Sequence, residues 1–305
     1  MRRVEQQFPR SRRRLCSLLG YSRQACYKQI KNEETSTLQA DLLLAEVCRL
    51  RSEQPRLGSR KLLHMLKGFM HAHGIKMGRD AFFDLLGERG MLVQRRKRRV
   101  PRTTFSSHPY YKYANLVQEF MPTSANQLWV SDITYIRLSQ GFAYLSLVTD
   151  AYSRKIVGFD LCELISAKGC IAALKMALKQ NPDRSQELIH HSDRGIQYCS
   201  NNYVKLLQQN RIAISMTQSG DPRDNALAER VNGILKDELL EKRYEHYRRA
   251  RLGVADAIYI YNNHRPHSSI DMLTPNIAHQ HSGELKRRWK NYYLTSKAKE
   301  VIMDG

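Results

Sequence analysis

The sequence predicts an α/β protein, a mixed sheet flanked by helices, preceded by a smaller all-α region with helix-turn-helix character. Three observations carry this. In the first ninety or so residues apolar positions recur at helical spacing, interrupted at Gly20, Pro55, Gly58 and Gly74. From Asn126 the pattern changes to runs dense in β-branched and aromatic residues. After three such runs, helical and short apolar segments alternate in the order βββ-α-β-α-β-α, which builds a mixed sheet with helices against it. A length of 305 residues suits about two domains.

Residues 9–31 read as two short helices around a turn. Leu15, Leu18 and Leu19 give the first an apolar side, Gly20 can end it, and Ser22 can cap the second. Arg23 at the start of that second helix suits a DNA reader, although a plain helical hairpin has the same pattern. A further helix is expected over 38–52, with Leu38, Leu42, Ala45 and Leu50 inward and Leu43 and Val47 flanking. Another runs from Ser59 through Leu62, Leu63 and Leu66. A last one begins near Gly78, with Phe82, Phe83, Leu85 and Leu86 inward and Arg79 near its start as a second candidate DNA contact. Arg95, Arg96, Lys97, Arg98 and Arg99 open a stretch that turns rich in Ser, Thr, Pro and Tyr, a linker suited to touching phosphates. Strands are expected over 128–136, 142–149, 155–161, 187–191 and 212–215, and helices over 166–179, 201–209 and 222–240. The divisions are then 1–35 for a helix-turn-helix-like segment, 36–94 for a second helical DNA-binding segment, 95–124 for the basic linker, 125–281 for a catalytic core and 282–305 for a basic tail.

Charge points to the partner. Fifty Lys and Arg face 29 Asp and Glu, a net of +21, and residues 1–100 alone hold 23 against 9. A polyanion such as DNA is the natural partner, because each cation set on a phosphate releases a condensed counterion. No apolar run approaches the ~18 residues of a membrane span, and no signal peptide is evident, so a cytoplasmic protein is expected. Six scattered cysteines without CxxC pairs read as free thiols.

Three acids carry the chemistry. Asp132 sits inside an otherwise apolar strand, where an ionised carboxylate is costly without a partner. Asp193 lies just past the fourth strand, whose end can lie beside the first. Glu229 lies in the long helix, which can pack across the same edge. Converging carboxylates at about 4 Å would repel by ~4 kcal/mol per pair at an effective dielectric near 20. Divalent cations remove that penalty, and an all-oxygen set favours Mg2+ or Mn2+. Two such ions suit phosphoryl transfer. Asn225, Glu229 and Lys236 fall on one helical face, which gives an amide, an acid and a base looking onto such a site. The plainer reading of the three acids is an edge position, salt bridges and a solvated helix face.

At these residues the chain resembles a known family. WVSDITYI, HSDRGIQY and DNALAERVNGILKDEL look like the three blocks of the integrase catalytic core, and most closely those of OrfB-type transposases of the IS-three insertion-sequence family. Between Asp193 and Glu229 lie 229 − 193 − 1 = 35 residues, the interval of that pattern, and Lys236 matches its basic position. LCSLLGYSRQACYK, LGSRKLLHML, MGRDAFFDLLGERGML and YNNHRPHSSIDMLTP look like the family's flanking segments. The resemblance implies a ribonuclease-H-like fold and a DDE-type transposase with Asp132, Asp193 and Glu229 as catalytic metal ligands for two ions. Lys236, Asn225 and Arg194 become candidate DNA contacts beside them. It implies two steps: water frees a 3′-OH at the element end, and that 3′-OH attacks a second phosphodiester. Expected partners are the element's terminal repeats, target DNA, further copies of the chain, and an OrfA-type protein from an upstream frame, often as a frameshifted fusion. The setting implied is the bacterial cytoplasm, on the nucleoid. His71 and His73 lack the CxxC of the retroviral zinc module, so no structural zinc is expected. A DNA-binding regulator built on a decayed core and a structure-specific nuclease are the alternatives.

Other residues carry open roles. His190 and His191 could touch a metal-bound water or serve as structural groups at a strand end. Asp224 and Glu238 are rival acids, and Glu238 falls outside the spacing. His264, Arg265 and His267 could contact DNA or bond to the core. Trp129 suits core packing, and Tyr198 could stack near the cleavage site or pack in the core.

Overall fold

The computed structural model describes residues 16, 18, 20–94, 109–118, 120–182, 186–218 and 225–286. These fall into two compact units, one of residues 1–52 with 62–92 and one of residues 53–61 with 93–305.

The first unit is helical. Gly20 takes φ +70°, and the Tyr21 N–H reaches back to the Cys16 carbonyl at 2.9 Å. Ser22 Oγ then accepts the Ala25 N–H at 3.1 Å and caps helix α1 (Arg23–Glu53) as expected. The short second helix and the separate helix over 38–52 are corrected: α1 is one helix of 31 residues. Residues 32–37 contain neither Gly nor Pro, and the Thr35 and Thr37 hydroxyls donate to the Lys31 and Glu33 carbonyls. Those hydroxyls are satisfied within the helix, so the polar stretch does not break it. Residues 35 and 36, where the sequence suggested a division, lie inside α1. Its buried stripe is Leu43, Val47 and Leu50, at i, i+4 and i+7, while Leu38 and Leu42 are exposed. Helices α2 (Ser59–Ala72) and α3 (Arg79–Glu88) follow, burying Leu62, Leu66, Met70, Phe82 and Leu86. Phe83 and Leu85, expected inward, are only half-buried.

The second unit is built on a five-stranded sheet of β1 (Leu128–Arg137), β2 (Phe142–Asp150), β3 (Ile156–Cys162), β4 (Ile189–Ser192) and β5 (Ala213–Met216). The order is β3-β2-β1-β4-β5. The first three strands form an antiparallel meander, and β4 and β5 add parallel to β1. This is the ribonuclease-H-like mixed sheet, and every strand expected from the sequence is present within about two residues. One face carries α4 (Ala167–Gln180) and α6 (Asn201–Gln209), with the short α5 (Ile196–Cys199) before α6. Trp129, Val148 and Val157 pack there against Cys170, Ala173, Leu174, Tyr203 and Leu207. Gly158 on β3 is required for this layer, because a Cβ there would lie 2.1 Å from the Ala173 carbonyl oxygen. The other face carries α7 (Ala226–Ile234) and α8 (Tyr247–Asn263). Ile136, Leu145 and Leu147 pack there against Val231, Ile234, Val254, Ile258 and Tyr261.

The helix expected over 222–240 is corrected in two respects. Residues 219–224 lie outside the described residues, and α7 gives way after Ile234 to a π-helical turn (Leu235–Leu239). The Leu240 N–H bonds to the Leu235 carbonyl, five residues back, at 2.8 Å. Helix α8 had no counterpart in the sequence reading. A short 3-10 turn (Ser268–Ile270) and α9 (Pro275–Ala278) close the unit. Parts of the expected linker and tail also pack on it: Leu116 N–H bonds to Ser215 Oγ of β5, and Tyr152 OH donates to the Gly283 carbonyl. All six cysteines are free thiols.

Candidate active site

The site grows from the parallel pairing of β1 and β4. Trp129 lies opposite His190 and Val130 opposite His191. The ladder ends there, and two residues further along come Asp132, still on β1, and Asp193, just beyond the end of β4. Asp193 sits in the turn beyond β4, where its Oδ1 accepts the Gly195 N–H at 3.0 Å. Helix α7 is tied along the same strand by two amides. Asn225 Nδ2 donates to the Ser131 carbonyl at 2.9 Å, and Asn232 Nδ2 donates to Asp132 Oδ2 at 2.6 Å. Glu229 lies between these two ties, exposed in the first turn of α7.

Asp132 lies within electrostatic reach of both Asp193 and Glu229. The Asp132 carboxyl is pushed up to about 7. Burial is the main cause, followed by the negative charge of Asp193. The Ile133 backbone N–H opposes this, Glu229 adds to it, and the Asn232 amide again opposes. Asp132 is densely surrounded by protein yet keeps a solvent-facing edge. Among the described residues no three of His, Cys, Asp and Glu are grouped so as to hold a metal ion. The donor set nevertheless fits a hard cation. It offers carboxylate oxygens, and beside them Asn225 Oδ1 and Asn232 Oδ1 are buried with no hydrogen-bond partner. A cation or its water would relieve both the crowded charge and the orphaned oxygens.

Residues 122–222 and 210–275 each match an integrase core domain family. A 31 kDa protein of insertion element IS600 from Shigella sonnei is 34% identical over 268 residues, covering 86% of this chain and 96% of the relative. The transposase for insertion sequence element IS629 from the same species is 30% identical over 228 residues, 74% of each chain. Transposase InsF for insertion sequence IS3A from Escherichia coli K12 is 36% identical over 164 residues, 52% of this chain and 56% of the relative. The chain belongs to the IS3-type transposases of the integrase-core family.

The remaining expectations for this transposase sort by position. Lys236 stands on the π-helical turn, its Nζ 3.6 Å from the Tyr135 ring centroid. The turn shifts it out of the regular seven-residue register with Glu229. Asn225 was expected at DNA, but it is 8% exposed and its amide is committed to β1, so its place here is to seat α7. Arg194 is half-buried next to Asp193. Arg23 and Arg79 are exposed in the helical unit, and Arg79 pairs with Asp80 at 2.8 Å. Arg95, Arg96, Lys97, Arg98 and Arg99 lie outside the described residues, as does Asp224.

The two histidines before Asp193 are structural. His190 is buried, its Nε2 2.8 Å from Ser131 Oγ and 2.9 Å from Tyr203 OH. Burial, then the neighbouring His191, hold it neutral with a pKa of about 3. His191 Nδ1 meets Ser215 Oγ at 2.9 Å and ties β4 to β5. Trp129 and Tyr198 are core residues. Of the closing block, His264 is exposed, while Arg265 and His267 are buried. Arg265 forks onto Glu238, Nε to Oε2 and Nη2 to Oε1, each at 2.8 Å, and Lys61 Nζ meets the same carboxylate at 3.3 Å. The rival acid Glu238 is therefore engaged in an ion triad. Asn232 was missed by the sequence reading, although it falls three residues after Glu229 on the face that Asn225 begins.

Proposed function

We propose that this transposase cuts the ends of its own insertion sequence and joins each freed 3′-OH to a second phosphodiester, with Asp132, Asp193 and Glu229 as ligands for two divalent ions, Mg2+ or Mn2+. The observation that carries this reading is the Asp132 carboxyl, crowded by the charges of Asp193 and Glu229 and held by Asn232. Bound ions would activate the attacking oxygen and stabilise the leaving one in an in-line displacement.

The chain's own groups do the positioning. Asn232 fixes one oxygen of Asp132, so the carboxylate presents a constant face. Asn225 and Asn232 together clamp α7 to β1 and so place Glu229 above the strand. The neutral His190 locks the β1–β4 pairing that precedes Asp132 and Asp193. Lys236 and Arg194 supply positive charge at the rim for phosphates. In the first step a water oxygen forms a bond to phosphorus as the bond to the element's 3′ oxygen breaks. In the second that 3′ oxygen attacks another phosphorus, and the bond broken there releases a new 3′-OH. No protein side chain is joined to DNA.

The basic helical unit reads the terminal repeats. Further copies bring two ends together, an OrfA-type protein from an upstream frame joins the complex, and the work takes place on the bacterial nucleoid. Among the described residues no helix is long and apolar enough to cross a membrane. A regulator that only bound DNA would need none of the three acids, and the sequence carries all of them.

The test is a cutting and joining assay on labelled DNA carrying the element's terminal repeats. Asp132→Asn, Asp193→Asn and Glu229→Gln should each abolish both steps in Mg2+ while DNA binding persists. Cutting by Asp132→Asn at the wild-type rate would remove that residue from the site.

A further inference from the structure

We propose that Tyr135 and Phe142, guarded by Lys236, form a stacking subsite for an unpaired base of the DNA strand a few nucleotides from the scissile phosphate. This rests on the transposase reading above. Tyr135 lies three residues beyond Asp132 on β1, about 10 Å along the strand and turned to the opposite face of the sheet, so a DNA strand would reach it from Asp132 around the edge of β1. The Tyr135 and Phe142 rings meet edge to face, centroids 5.4 Å apart at 87°. Neither ring belongs to the core clusters on the two faces of the sheet, and Phe142 is 46% exposed.

The backbone leaves room for a ligand here. β4 pairs with β1 only as far as Val130. On that side Asn225 Nδ2 donates to the Ser131 carbonyl, and the next tie is the Tyr244 N–H to the Arg137 carbonyl, at 2.9 Å, followed by the bridge between Leu138 and Tyr244. Between those ties no strand pairs with that edge of β1 among the described residues. Basic side chains rim the opening. Arg137, Lys242 and Arg243 are exposed, and Arg243 Nη2 is braced on the Ser139 carbonyl at 2.7 Å.

An aromatic floor with a cationic rim is the chemistry that holds single-stranded nucleic acid, bases stacking on rings while phosphates meet the cations. The Lys236 ammonium rests 3.6 Å from the Tyr135 ring centroid. A phosphate would draw it off the ring, since a full anion attracts a cation more strongly than a ring quadrupole does. The uncovered ring face then receives the base. DNA approach and base capture are thereby coupled through one lysine.

The experiment is a thermodynamic cycle on the full chain without Mg2+, measuring affinity for terminal-repeat DNA. One arm moves an abasic nucleotide through the positions flanking the cut, and the other replaces Tyr135 by Leu. Stacking is worth ~1–3 kcal/mol per base, about 5- to 150-fold in affinity. At one position the abasic DNA and Tyr135→Leu should each weaken binding within that range, and together should weaken it no further. Tyr135→Phe should bind like wild type, and Phe142→Leu should lose part of the effect. Unchanged thermal denaturation of Tyr135→Leu separates this from misfolding. Should that variant misfold, the abasic scan with wild type and Tyr135→Phe decides, and a scan showing no sensitive position overturns the subsite. Additive losses at every position overturn it too, while wild-type cutting in Mg2+ keeps the transposase reading intact. Wild type that neither binds nor cuts the DNA overturns both.

Discussion

Asp132 on β1 and Glu238 on the π-helical turn after α7 stand in opposite electrical surroundings. Asp132 is bonded to α7 through Asn232 and has two carboxylates for company, and its pKa climbs to about 7. Glu238 is also shielded from water, which alone would raise its pKa, yet the bonds and charge of Arg265, with Lys61, bring it below the ordinary value. Lys61 is the weakly held member. Burial and the like charge of Arg265 outweigh Glu238 and lower its pKa to about 8. The two acids thus separate a carboxylate crowded by like charge from one already supplied with cations. A carboxylate whose neighbours repel it is placed for chemistry, and one whose neighbours saturate it is placed for structure.

The largest expected effect breaks this comparison on activity. Asp132→Asn should leave no detectable cutting or joining, whereas Glu238→Gln should keep both, per folded molecule, in the same assay. The second effect is on stability. Glu238→Gln strands the Arg265 guanidinium, 2% exposed, beside Lys61 without an anion. Removing one partner of such a buried pair costs about 3–5 kcal/mol, readable as a fall in the urea midpoint. A fall under about 1 kcal/mol would place the triad among surface pairs.

Asn232→Ala sharpens the comparison from the other side. It removes the amide that orients Asp132 and should weaken metal affinity or activity by about 10–100-fold, with the fold intact by circular dichroism. The smallest effect is on pH dependence without metal. The folded pKa of Asp132 is raised, so its contribution to stability falls as pH rises from about 4 to about 7. Glu238 has a lowered folded pKa, so its contribution is present at neutral pH and is lost as pH falls through the carboxylate range. The midpoint of Asp132→Asn should therefore gain on wild type between about pH 5 and about pH 8, and that of Glu238→Gln should not.

How much of this was legible in the sequence follows from what each feature depends on. The strands were readable because 128–136 and 142–149 concentrate β-branched and aromatic residues between turn residues. Asp132 stood out as an Asp where strands avoid it, and Asp193 as an Asp at a strand end. Helix α8 was legible and missed: Ala250, Val254, Ala257, Ile258 and Tyr261 recur at helical spacing and are all buried. The continuity of α1 was harder, since NEETST reads as a break until the Thr35 and Thr37 hydroxyls are seen bonding back along the helix. The π-helical turn depends on how α7 and α8 seat against the sheet, and local pattern does not encode it. Lys61, Glu238 and Arg265 meet only through the fold, so nothing near any one of them in the chain announces the triad.

The central claim is that Asp132, Asp193 and Glu229 hold divalent cations between them. Electron paramagnetic resonance of Mn2+ titrated into the full chain measures this without DNA or turnover. Wild type should take up two ions per chain, and Asp132→Asn should lose tight uptake while remaining folded. Equal uptake by the two proteins would contradict the claim.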